Sequence, residues 1–139
     1  MLVFDNRPIP RLPDDTFTAI SDEPLAVVLA LIGKLDVVVT CDSLALHVAG
    51  AYGVPCVALF GPTGGAVRCD HYPTVTVVDA HADFDCMPCW RNQFSKCRIS
   101  SNYDSVCMRH ITREQVEGAL AALLPGASDA APCSGPKHG

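Results

Sequence analysis

Apolar runs alternate with short polar breaks along this chain, and the alternation predicts an α/β fold. Residues 37–41 and 57–60 are continuous apolar or β-branched runs, which is typical of strands covered on both faces. Residues 44–52 between them predict a helix with Ser43 at its N-cap, ended by Gly53. We therefore expect a βαβ unit, because two parallel strands need such a crossover.

Further elements are predicted on both sides of this unit. Residues 21–34 predict a helix capped by Ser21 or Asp22, and residues 74–78, which are β-branched throughout, predict another parallel strand. A capping box starts a last helix over residues 112–124. The apolar stripe of the first helix consists of Leu25, Val28, Leu29 and Ile32. The fold class predicted is an α/β domain, a Rossmann-like parallel sheet with flanking helices.

Composition limits what the chain can do. Its 139 residues predict one domain, and a hydrophobic share of 49% is enough for a core. The net charge of −5 argues against general nucleic-acid binding. The longest apolar run, 25–33, is too short to span a membrane, and the start of the chain lacks a signal-peptide pattern. We expect a cytoplasmic protein, free or peripheral to the inner membrane.

Domain organisation follows from the same reading. Residues 1–18 are predicted to be an irregular lead-in with three prolines, and residues 19–127 to be the folded domain. That domain includes a cysteine-rich loop over residues 84–108. Residues 128–139 are small, polar and proline-containing, and their composition predicts a disordered tail.

The candidate chemistry lies where the first strand of the βαβ unit ends. Ligands of open α/β sheets bind at carboxyl ends of strands, where helix N-termini offer free amides and a positive dipole end. Asp42, Ser43 and His47 follow the strand, and the imidazole lies one helical turn after the cap. These groups could surround a sugar diphosphate. The alternative is an ordinary capped helix with a buried histidine.

A resemblance enters with the pattern D-S-x-x-x-H-x-A-x-A-x-G-x-P-x-x-x-L-F-G-P-T, which begins at Asp42. It is similar to the C-terminal half of glycosyltransferase family 9, the heptosyltransferases and their relatives. The resemblance implies the C-terminal domain of a GT-B glycosyltransferase, which binds a nucleoside diphosphate sugar and needs no cofactor for transfer. The implied donor-binding residues are Asp42, Ser43, Leu44, His47, Gly61, Pro62 and Thr63.

Two departures from the family qualify this implication. The family usually has glycine where this chain has Leu44, whose side chain could crowd a diphosphate. The family's N-terminal domain, with the acceptor site and the general base, is not found in the sequence. We therefore expect a fragment or reduced relative, inactive alone, whose intact enzyme moves a heptose-like sugar to an acceptor hydroxyl in lipopolysaccharide or a related glycan.

Two other functions stay open at this point. One is a non-catalytic binding or assembly module that self-associates or pairs with a partner domain, since a missing domain would leave apolar surface. The other is a nucleotide-sugar epimerase of GT-B shape, which also binds a diphosphate at a helix end.

Four cysteines with the spacing C-x2-C-x7-C-x9-C form a second candidate site: Cys86, Cys89, Cys97 and Cys107. Four thiolates could bind a structural zinc ion or an iron–sulfur cluster; free thiols or a disulfide within the C-x-x-C pair are the alternatives. The segment from Cys107-Met108 to Val116 also resembles family 9, and extends the likeness over residues 20–124.

The remaining cysteines are predicted to be core or loop residues. Cys41 and Cys56 are predicted to be buried hydrophobic residues, although Cys41 together with His47 offers a thiol nucleophile as the alternative. Cys69 and Cys133 fall in predicted loops.

Overall fold

The computed structural model describes residues 2–4, 18–91 and 94–124. Within the predicted lead-in, β1 (Leu2–Phe4) pairs in parallel with β2 (Thr18–Ile20), so the predicted boundary at residue 18 falls inside a strand. The predicted tail and Cys133 lie outside the described residues.

The central sheet has three parallel strands in the described part of the chain. They are β3 (Val38–Cys41), β4 (Cys56–Phe60) and β5 (Val75–Asp79), in the order β3-β4-β5. The register pairs Val38 with Cys56 and Cys56 with Val75. All three predicted strands are therefore confirmed, each with ends shifted by one residue at most.

Helices connect and cover these strands. Their bounds are α1 (Leu25–Ile32), α2 (Leu44–Tyr52), α3 (Gly65–Cys69), α4 (Val106–His110) and α5 (Arg113–Leu123), with a 3-10 turn at His81–Asp83. The predicted bounds of α2 are confirmed, and Gly53 ends it in the left-handed conformation at φ 70°. The capping box of α5 is also confirmed: the amide of Gln115 donates to the Thr112 hydroxyl, and the amide of Thr112 donates to the Gln115 side chain.

The prediction for α1 is wrong at its N-terminal end, whereas its C-terminal end is confirmed by Gly33 at the C-cap. Asp22 has φ 59°, a left-handed conformation that interrupts a helix, and Pro24 takes the N-cap position instead of Ser21 or Asp22. The helix therefore starts at Leu25, which is exposed rather than part of the core stripe. Ile32, at the other end of the helix, is buried.

The main core lies between α1, α2 and α3 and one face of the sheet. Alternate residues of β4, namely Cys56, Ala58 and Phe60, are fully buried on this face with Leu46 of α2. Val57 points to the opposite face, where α5 contacts β4 and β5. The central strand β4 is consequently covered on both sides.

The edge strand β3 differs from the prediction of a strand covered on both faces. Val38 is buried, but Val39 is 45% exposed and Cys41 is exposed. The physical reason is that α5 packs on β4 and β5, so the face of β3 that carries Val39 lies beyond its cover.

The segment after β4 also differs from prediction. The sequence predicts a loop at Cys69, but α3 begins at Gly65 and Cys69 is buried. A Cβ atom at Gly65 would lie 2.5 Å from a methyl carbon of Val77 and 2.9 Å from the ring of Phe60. Glycine is therefore required here for packing of helix on sheet rather than for flexibility. No helix of the described residues is long and apolar enough to cross a membrane.

Candidate functional site

The junction between β3 and α2 brings Asp42 and Ser43 to the carboxyl end of the sheet. Ser43 has the extended backbone of an N-cap residue, but its side chain makes no capping hydrogen bond. Its Oγ lies 2.9 Å from Oγ1 of Thr40 instead. Ser43 and Leu44 are exposed, so the first turn of α2 keeps amides that a ligand could bind.

A cavity of about 530 Å³ opens beside this helix end. Its walls combine apolar side chains with a short run of hydroxyl and carboxylate groups. The lining residues are Phe4, Ile20, Ser21, Asp22, Glu23, Val28, Ile32, Ser43, Leu44 and Ala45. Its volume is within the range of small-molecule sites. The sequence reasoning placed Ser43 and Leu44 at the site but missed the contribution of β1, β2 and the segment before α1.

His47 is half-buried on α2, and its imidazole contacts Tyr72. Its Nδ1 lies 3.2 Å from the Tyr72 hydroxyl, and the two rings are tilted with centroids 5.9 Å apart. Tyr72 also packs on Gly50, where a Cβ would lie 2.5 Å from its ring. Because Nδ1 is engaged with Tyr72, Nε2 is the nitrogen through which His47 could reach a ligand.

Asp42 has a cationic neighbour that the sequence reasoning missed. Nε of Arg68, on α3, lies 3.8 Å from Oδ2 of Asp42. The same guanidinium lies over the ring of Trp90, with 5.6 Å between Cζ and the ring centroid. Arg68 is 26 positions from Asp42 and Trp90 is 48, so no local pattern could have joined the three residues.

The Gly61-Pro62-Thr63 turn is packed against the cysteine loop, residues 84–108. Gly61 is buried, and a Cβ there would lie 2.5 Å from Cγ of Met108 and 3.3 Å from Sγ of Cys107. The amide of Trp90 donates to the Pro62 carbonyl at 2.8 Å. The cysteine loop therefore supports the turn that follows β4.

Cys107 interacts electrostatically with two of the other clustered cysteines, Cys89 and Cys97. Burial raises the pKa of the Cys107 thiol, and negative charge on Cys89 or Cys97 would raise it further. Cys97 and Cys107 are buried, and Cys86 and Cys89 are half-buried. In the part of the chain that the structure describes, no three His, Cys, Asp or Glu side chains are arranged to hold a metal ion. The metal-site, disulfide and free-thiol hypotheses all stay predictions.

Cys97 is chemically distinct from the others. The backbone amides of Ser100, Ile99 and Val106 hydrogen-bond its sulfur and lower the pKa of the thiol to about 7. Its own amide donates to the carbonyl of Asn102 at 2.6 Å, and this bond helps to fix the surrounding turn. The cysteine loop is thus arranged to stabilise a thiolate at this position.

The cysteines of the sheet behave differently. Cys56 is fully buried, as predicted, and burial together with Cys69 raises its pKa to about 11. Cys41 is exposed, which corrects the prediction that it is a core residue. Partial burial and the charge of Asp42 raise the pKa of Cys41, so the thiol form is favoured and a nucleophilic role is disfavoured.

Comparison with known families matches the model of glycosyltransferase family 9 (heptosyltransferase) to residues 21–97 of this chain. The matched segment contains the β3–α2 junction, Arg68, Trp90 and three of the four clustered cysteines. The comparisons with curated proteins and with solved structures gave no match. Because the family match spans more than half of the 139 residues, the chain belongs to glycosyltransferase family 9.

Proposed function

We propose that this chain binds the nucleoside diphosphate sugar donor of a family 9 glycosyltransferase at the start of α2. The observation that carries the proposal is the cavity of about 530 Å³ beside a helix N-terminus whose first turn has no side-chain cap. A helix end of this kind attracts anions through its free amides and its dipole. An adjoining apolar cavity offers space for the uncharged part of the same ligand.

The nucleoside would occupy the cavity. Phe4, Ile20 and Val28 provide apolar surface for a base, and stacking on an aromatic ring such as that of Phe4 is possible for every base. Asp22 and Glu23 add carboxylates that can accept hydrogen bonds from ribose hydroxyls. The arrangement favours a ribonucleotide and leaves the identity of its base to the finer shape of the cavity.

The diphosphate would lie across the first turn of α2. Backbone amides and the Ser43 hydroxyl can donate hydrogen bonds to phosphate oxygens there. Leu44, which is 54% exposed and lines the cavity, narrows this approach. The chain should therefore bind the diphosphate more weakly than a variant with glycine at position 44.

Transfer would break the bond between the anomeric carbon of the sugar and the diphosphate oxygen. The same carbon would bond to the oxygen of an acceptor hydroxyl, whose proton passes to a base. The described residues fit the stabilisation of the leaving diphosphate, and we assign none of them as that base. Base and acceptor site would belong to the second domain of a GT-B enzyme, acting on a lipopolysaccharide or related glycan.

A second candidate is a non-catalytic module derived from such an enzyme. The exposed Leu44 at the first helical position favours it, since this side chain occupies space next to the amides that a diphosphate needs. The two candidates differ in affinity. A donor-binding domain should bind nucleoside diphosphates saturably, whereas a module without that role should not.

Calorimetric titration of the chain with ADP, UDP and their sugar derivatives tests the proposal. Ser21→Trp places a large side chain at the cavity wall and should weaken binding at least tenfold, by about 1.4 kcal/mol or more. Ala51→Trp places the same side chain at an exposed position at the far end of α2 and should leave binding unchanged. Absence of saturable binding to all of these nucleotides, or full affinity in Ser21→Trp, would contradict the proposal.

A further inference from the structure

Arg68 lies on an exposed side of α3 and reaches towards the β3–α2 junction. Its guanidinium has two neighbours that belong to different segments of the chain: the carboxylate of Asp42 at 3.8 Å and the Trp90 ring at 5.6 Å. Three segments distant in sequence thus meet at one cation. These two contacts restrict the Arg68 side chain, which carries about 2 kcal/mol of rotamer entropy when it is free.

The contacts of Arg68 orient the guanidinium without using its hydrogen-bond capacity. The distance of 3.8 Å to Asp42 is longer than a hydrogen bond, and the contact to Trp90 uses the flat face of the group. Among the described residues, no hydrogen bond satisfies its N–H groups. The side chain is 44% exposed, so these in-plane donors remain accessible to a ligand. A planar fork of donors matches the oxygens of a phosphate.

The position of Arg68 relates it to the start of α2. Asp42, its ionic neighbour, immediately precedes Ser43, the N-cap residue of that helix. The guanidinium charge and the positive end of the helix dipole therefore lie at the same edge of the sheet. An anion at this edge is attracted by the guanidinium and by the helix end, and the Asp42 carboxylate opposes that attraction.

We propose that Arg68 binds the diphosphate of the donor and exchanges its loose contact with Asp42 for phosphate oxygens, while Trp90 holds the plane of the guanidinium. This inference rests on the proposed function and adds a residue that neutralises the charge of the leaving group. Asp42 then acts as a counter-ion that keeps Arg68 in place in the free protein. Trp90 makes the cysteine loop part of the donor site.

Binding of ADP, UDP and inorganic pyrophosphate to the wild type, Arg68→Gln and Arg68→Lys tests this assignment. Removing charge-assisted hydrogen bonds should weaken diphosphate binding about 10- to 100-fold in Arg68→Gln, with a smaller loss in Arg68→Lys. Binding of adenosine and uridine, which lack phosphates, should not change. Arg113→Gln removes the same charge from α5 and should leave all affinities unchanged.

Asp42→Asn distinguishes ligand binding from a purely structural ion pair. If Asp42 competes with phosphate for Arg68, the variant should bind pyrophosphate as tightly as the wild type or more tightly. Its affinity should also fall with increasing salt concentration as steeply as that of the wild type. A structural pair would instead give parallel losses of thermal stability in Asp42→Asn and Arg68→Gln without a phosphate-specific effect. Undiminished diphosphate binding by Arg68→Gln overturns the assignment of Arg68 alone. Wild-type protein that binds neither pyrophosphate nor nucleotides overturns the proposed function as well.

Discussion

The Nδ1 atom of His47 lies 3.2 Å from the hydroxyl oxygen of Tyr72, and this contact joins α2 to the segment between α3 and β5. Gly50, one turn after His47, makes room for the same tyrosine ring. The imidazole is consequently oriented by a residue from outside its own helix. Its position relative to the N-terminus of α2 depends on this tertiary contact as well as on helical spacing.

Tyr72→Phe should lower the free energy of unfolding by about 0.5–1.5 kcal/mol, the usual net value of one hydrogen bond. The ring would stay packed on Gly50, so the difference in stability would report the contribution of the Tyr72 hydroxyl alone. Urea denaturation measures it. Tyr52→Phe is the matched control, because Tyr52 is exposed and its hydroxyl has no hydrogen bond among the described residues. Equal stability of the Tyr72→Phe variant and the wild type would show that the His47–Tyr72 contact contributes nothing.

Leu44→Gly should tighten nucleoside diphosphate binding several-fold, because it removes the side chain that narrows access to the first amides of α2. Glycine near a helix end costs less than about 1 kcal/mol of helix stability, so the fold should persist. Isothermal titration with ADP and UDP measures the gain. Leu44→Ala should give a smaller gain in the same direction. Weaker binding in both variants would mean that Leu44 contacts the ligand favourably.

Gly61→Ala should destabilise the protein by about 1–3 kcal/mol, the usual cost of inserting a methyl group into a packed region. The added carbon would lie 2.5 Å from Cγ of Met108, so the Met108 side chain would have to move from its packed position. Thermal unfolding measures the effect. The double variant Gly61→Ala with Met108→Ala should recover part of the loss. If the double variant recovered no stability, the contact with Met108 would not be the cause of the destabilisation.

Cys97 should give the reduced, metal-free protein a pH-dependent stability. Its pKa is about 7 in the folded protein, against an ordinary value of 9.0 that the unfolded chain would have. Between these values the unfolded state holds the proton that the folded state has lost, so stability rises as pH increases from about 7 to 9 and the contribution is absent below pH 7. Ultraviolet absorbance of the thiolate, compared with that of Cys97→Ser, measures the folded-state pKa. A midpoint near 9.0 would contradict the prediction.

The zinc hypothesis for Cys86, Cys89, Cys97 and Cys107 makes its own prediction. Protein purified without chelators should contain stoichiometric zinc, and Cys107→Ser should lose most of it, because thiolates are its preferred ligands in structural sites. Cys41→Ser, which changes a cysteine outside the cluster, should retain the metal. Elemental analysis decides the matter, and zinc-free protein with titratable thiols would support free cysteines instead.

Local patterns predicted the βαβ unit well, because strand, cap and helix stop are encoded within a few residues. The bounds of α2 and its end at Gly53 are examples. The exposure of Val39 could not be predicted, since it depends on where α5 packs. The sequence also identified Asp42 as a site candidate but not Arg68, because their contact joins segments that only the folded chain brings together.

The hydrogen bond from the Trp90 amide to the Pro62 carbonyl has a consequence for protein engineering. The turn after β4 and the cysteine loop are joined by this hydrogen bond and by the packing at Gly61. We therefore expect that neither segment keeps its conformation when it is transplanted into a homologous protein without the other. Chimeras that exchange residues 61–108 together should retain the native arrangement of the turn. If only residues 61–65 were transplanted, the loop of the recipient protein would face Gly61, whose neighbouring space is filled by Met108 in this chain.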